Sequence, residues 1–61
     1  MSQVYNPEVE QMARVERMEL EARDIRRRIE RVHNDSDRRV LTRLLQELEE
    51  EITLLQARLP A

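Results

Sequence analysis

The 61-residue chain has no cysteine, no glycine, no tryptophan and no phenylalanine, and each absence removes a class of answer. Without cysteine there is neither a disulfide framework nor a thiolate zinc site, so the small size must be offset by another staple, and oligomerisation is the usual one left. The redox compartment is for the same reason unreadable. Lysine is missing too: all eleven basic residues are arginine. No apolar run approaches the roughly 20 residues that cross a bilayer, and residues 1 to 6 carry neither the basic segment nor the apolar core of a secretory leader, so a cytoplasmic location is the expectation.

What is present is mostly charge and aliphatic carbon. Charged residues make up 39% of the chain and aromatics 2%, which allows one small domain and excludes a large private core. Arginine, glutamate and leucine dominate, and with no glycine to interrupt them they favour long helices over strands or tight turns. The fold class expected is all-α.

Asn6-Pro7-Glu8 is a strong helix start, because Asn can cap free amides, Pro fits the first helical position, and Glu8 and Glu10 suit the positive end of the helix dipole. Residues 1 to 6 are expected to be a flexible tail and residues 7 to 61 a helical hairpin. Its first helix is read as 7 to 33. The cluster His33-Asn34-Asp35-Ser36-Asp37 competes for backbone hydrogen bonds, which predicts a turn near 33 to 36 with Asn34 or Ser36 capping the next helix. That second helix is read as 35 to 59, closed by Pro60.

Two apolar stripes follow heptad-like spacing. Val15, Met18, Ala22, Ile25, Ile29 and Val32 recur at steps of three and four on the first helix, and Leu41, Leu45, Leu48, Ile52, Leu55 and Leu59 do so on the second. Folding the chain at the turn sets Val32 level with Leu41, Ile25 with Leu48, Ala22 with Ile52 and Val15 with Leu59, a register in which paired residue numbers add to 73 or 74. Met12, Val40 and Leu44 extend the apolar set beyond that seam. A two-helix layer leaves one side of its seam in water, and half-covered side chains do not offset the ordering of so many residues. The expected answer is a homodimer, an antiparallel four-helix bundle, with a heterologous helical partner as the other way of covering the seam.

Charge falls in blocks of −3 for residues 1 to 22, +4 for 23 to 43 and −3 for 44 to 61. The hairpin therefore has a positive turn half and a negative open half. Two hairpins laid head to tail match opposite signs, whereas turn to turn they gather sixteen arginines. Glu10 with Arg14, Glu19 with Arg23, and Asp24 with Arg28 have the spacing of intrahelical ion pairs. The register above conflicts with charge in two places, setting Glu21 beside Glu51 and Arg14 near Arg58.

Few residues invite catalysis or ligation. His33 is alone, and a transition-metal site would need carboxylates or a second copy, so no metal and no cofactor are expected. Ser36 and Thr42 lie near His33 in sequence, but there is no glycine loop for an oxyanion hole, and no enzyme is expected. Glu49-Glu50-Glu51 reads as a solvated helix face. The arginine cluster of Arg23, Arg26, Arg27, Arg28, Arg31, Arg38, Arg39 and Arg43 has two meanings: contact with a partner's acids, or a grip on phosphates of structured RNA or duplex. Single-strand recognition is poorly served, since Tyr5 and the His33 imidazole are the only rings and neither is interleaved with the arginines. In length, central turn and two apolar heptad helices the chain resembles the plasmid-encoded Rop proteins, a family of homodimeric four-helix bundles that bind paired RNA loops. The likeness is one of architecture, and no RNA-binding residue carries over from it. The sequence thus points to a small interaction protein acting through helical self-association and partner binding, with nucleic-acid binding as the alternative.

Overall fold

The computed structural model describes residues 6–59, and the expectations for residues 1 to 5 and for Pro60 lie outside that range. Two α-helices, α1 (Pro7–Arg31) and α2 (Asp35–Arg58), pack against each other as a hairpin. At 25 and 24 residues each is about 37 Å long at roughly 1.5 Å per residue.

Asparagine starts both helices. The Asn6 Oδ1 accepts from the backbone N–H of Glu8 at 3.0 Å and of Val9 at 3.4 Å, ahead of Pro7. The Asn34 Oδ1 accepts likewise from Ser36 at 2.8 Å and Asp37 at 3.4 Å, so Asn34 rather than Ser36 is the cap. Each cap satisfies amides that have no partner inside the helix.

α1 stops two residues earlier than expected. Val32 is extended, with φ −78° and ψ 131°, while its N–H still donates to the Arg28 carbonyl at 3.0 Å. Helix ends often use a left-handed glycine. This chain has none, and no described residue has positive φ. The Arg38 guanidinium instead reaches back from the first turn of α2 and donates to the Val32 carbonyl at 2.7 Å.

The cross-helix contacts fix the register. Arg14 donates to Glu51 at 3.2 Å on one flank of the seam. On the other flank Arg26 donates to Glu49 at 2.9 Å and Gln56 to Glu19 at 3.0 Å. The paired numbers add to 65 on the first flank and to 75 on the second. The seam between them is therefore centred on 70, not on 73 or 74. Met18 comes level with Ile52, Ala22 with Leu48, Ile25 with Leu45, Ile29 with Leu41, and Val32 with Arg38 rather than with Leu41. The slip of three to four residues keeps every apolar side chain on the seam. It also removes both charge conflicts, because Glu51 now meets Arg14.

Val15, Met18, Ala22, Ile25, Ile52 and Leu55 are buried, and all but Ile25 form one cluster against which Leu45 and Leu48 pack. Ala22 is the most enclosed, at 2% exposure. The six partly covered members of the two stripes, Ile29, Val32, Leu41, Leu45, Leu48 and Leu59, lie mostly toward the turn. Burial is thus strongest in the open half and thins toward the turn.

Candidate interaction surface

Positions beside the core define the two faces of the hairpin. The residue following each core position gives Glu16, Glu19, Arg23, Arg26 and Glu30 on α1, and Thr42, Gln46, Glu49, Thr53 and Gln56 on α2. This face is polar along the seam and is bridged by Arg26–Glu49 and Glu19–Gln56. Only toward the N-terminus of α1 does it turn apolar, at the exposed Val9 and Met12.

The residue preceding each core position gives a different face. On α1 the line reads Arg14, Arg17, Glu21, Asp24, Arg28, Arg31. On α2 it reads Val40, Leu44, Glu47, Glu51, Leu54, Arg58, at steps of four, three, four, three and four. The second line is a second heptad stripe, displaced by one residue from the core stripe. Its three apolar members are exposed: Val40 at 67%, Leu44 at 47% and Leu54 at 61%. Its two acids each have an arginine of the same chain beside them, Glu51 with Arg14 at 3.2 Å and Glu47 with Arg43 at 3.9 Å in a largely exposed contact. At the turn end a shallow groove joins this stripe to the thinly covered core, lined by Arg28, Arg31, Val32, Asp37, Val40 and Leu41. Leu20 is exposed on the outer surface of α1, away from the seam.

The arginine cluster does not form one patch. Arg28 and Arg31 rim the apolar groove, Arg23 follows the core position Ala22 and so lies toward the polar face, Arg39 is exposed in the first turns of α2, and Arg27 points outward from α1. Arg38 is engaged at the turn, Arg26 by Glu49 and Arg43 by Glu47. Arg23, Arg27, Arg28, Arg31 and Arg39 make no ion pair or side-chain hydrogen bond among the described residues. The intrahelical pairs expected for Arg14, Arg23 and Arg28 are not formed; Arg14 crosses to α2 instead.

His33, Ser36 and Thr42 are all exposed at or beside the turn. Among the described residues no group of three or more His, Cys, Asp or Glu side chains is placed to hold a metal ion. Among the described residues no helix is long and apolar enough to cross a membrane. Of the Val40–Leu44–Leu54 stripe, Val40 and Leu44 are the members that stand out in the sequence as apolar residues beyond the seam, whereas Leu54 falls off the seam with no large apolar neighbour at core spacing. The signal that joins them is the heptad step carried through Glu47 and Glu51.

No protein-family model, no curated protein and no solved structure matches the chain.

Proposed function

We propose that the protein is a small non-enzymatic interaction protein that works through helical self-association, its hairpin pairing with a second copy into an antiparallel four-helix dimer. The observation that carries this reading is the unequal covering of the hairpin. The seam thins toward the turn, and beside it Val40 stands exposed in an arginine-rimmed groove, with Leu44 exposed one turn further along α2. Most stable domains bury each apolar face against a further packed element, and among the described residues α1 and α2 have only each other. Five uncompensated arginines in the turn half call for acids, and the open half of a second copy supplies them.

Sedimentation equilibrium combined with circular dichroism across a concentration series tests the proposal. A helical dimer whose melting temperature rises with concentration is the expected result. A helical species of single-chain mass at all concentrations refutes it. Poor helicity of the isolated chain refutes it too, and points to a heterologous helical partner.

The same unpaired arginines favour a second reading, binding to phosphates of structured RNA or duplex. It requires retention on such a polymer that falls steeply with salt and is lost when Arg27, Arg28 and Arg39 are replaced. Their spread around the hairpin weakens it, because a duplex backbone approaches from one side.

A further inference from the structure

We infer that the second copy docks along the outer stripe of α2, antiparallel, so that Val40 and Leu44 of one chain pack against Leu54 of the other. This deepens the self-association reading and rests on it. Three observations choose the face and the helix. The polar face is bridged by Arg26–Glu49 and Glu19–Gln56 and turns apolar only at Val9 and Met12, in the first turns of α1. On the opposite face the α1 line is charged at every position, so burying it would desolvate six ions. The α2 line on that face carries three large exposed aliphatics.

Charge chooses the orientation. Parallel docking brings two turn halves together, each carrying a net +4 over residues 23 to 43. Antiparallel docking lays the arginine-rich turn half of each copy over the acidic open half of the other. In that arrangement the dyad falls near Glu47. The acids around it do not repel freely, since Glu51 is paired with Arg14 and Glu47 with Arg43 in the same chain. Toward each end an apolar pair is buried, and Asp37 of one copy comes level with Arg58 of the other. The α1 lines, by contrast, would meet themselves with like charges opposed, Arg14 toward Arg31 and Arg17 toward Arg28. The two α1 helices are therefore held outward, and contact is concentrated along α2.

The absence of native cysteine makes the test clean. Full-length chains carrying single substitutions Val40→Cys, Leu44→Cys, Leu54→Cys or Leu20→Cys are oxidised alone and in equimolar mixtures, and wild type is sedimented in parallel. Because a disulfide requires Cα atoms within about 7 Å, the products report proximity. Mixtures of Leu54→Cys with Val40→Cys are expected to give the mixed disulfide in several-fold excess over either homodimer, mixtures of Leu54→Cys with Leu44→Cys to give less of it, and Leu20→Cys to remain monomeric. Predominant Val40→Cys homodimers overturn the orientation. Cross-linking of Leu20→Cys at the same rate overturns the choice of face. Absence of the mixed disulfide in the variants, with wild type sedimenting as a dimer, overturns this inference and leaves self-association standing, whereas a monomeric wild type removes both.

Discussion

Asn34 holds the hairpin together at a point where no glycine is available. Its side chain accepts from Ser36 and Asp37, and the backbone turns through extended residues rather than through positive φ. Replacing Asn34 by Ala is expected to cost about 1 kcal/mol, within a range of roughly 0.5–2, and replacing it by Gly only a few tenths. Thermal melts of the two variants at one concentration check this. Equal losses would mean that the turn depends on Asn34 for something other than its cap. Arg14–Glu51 and Arg26–Glu49 are a different kind of contact. Their side chains are about half exposed, so solvent screens them and their coupling in a double-mutant cycle is expected to stay below about 1 kcal/mol. Their importance is to register: they penalise neighbouring alignments that would set like charges side by side.

Ala22 shows how the two elements meet. It is 2% exposed and sits level with Leu48 inside the buried cluster. Ala22→Leu therefore inserts methylenes where there is no room and is expected to destabilise by about 1–3 kcal/mol. Leu20→Ala, at a residue 60% exposed, is expected to stay within about 0.5 kcal/mol. Urea unfolding of the two variants separates them, and a tolerant Ala22 would indicate looser helix packing than the burial implies. At this scale much of the fold is legible in the sequence. Asn6-Pro7 and Asn34 announce the helix starts, and the steps of three and four announce both stripes. Register is harder to read, and the reason is physical. Sliding one helix by half a heptad keeps the apolar residues of both stripes on the seam, so hydrophobic periodicity alone leaves neighbouring alignments indistinguishable. The flanking charges hold the information, and the collision of Glu21 with Glu51 is the sign that Arg14 belongs there. The outer stripe of α2 was obscured for a related reason. Glu47 and Glu51 interrupt it, and only the structure shows that each has an arginine of the same chain beside it, Arg43 and Arg14.

At the scale of the whole molecule, the sign of a salt effect distinguishes the two ways in which hairpins can associate. Head-to-tail association opposes a turn half of +4 to open-half blocks of −3, whereas turn-to-turn association opposes like to like. The Debye length falls from about 10 Å at 0.1 M salt to about 3 Å at 1 M, so added sodium chloride removes most of either interaction while leaving apolar burial nearly unchanged. Antiparallel dimers are thus expected to dissociate more readily as salt is raised. Each exposed pair contributes only about 0–1 kcal/mol, and several acting together correspond to a change of up to about tenfold in the dissociation constant, or about 1.4 kcal/mol. Sedimentation equilibrium at low and high salt measures it. Dimers that tighten with salt instead would place the arginine-rich turns together, and the second copy's acids would no longer account for Arg23, Arg27, Arg28, Arg31 and Arg39. Those arginines would then be the residues to test against a phosphate backbone, where loss of binding with salt is steeper and depends on the number of phosphates contacted.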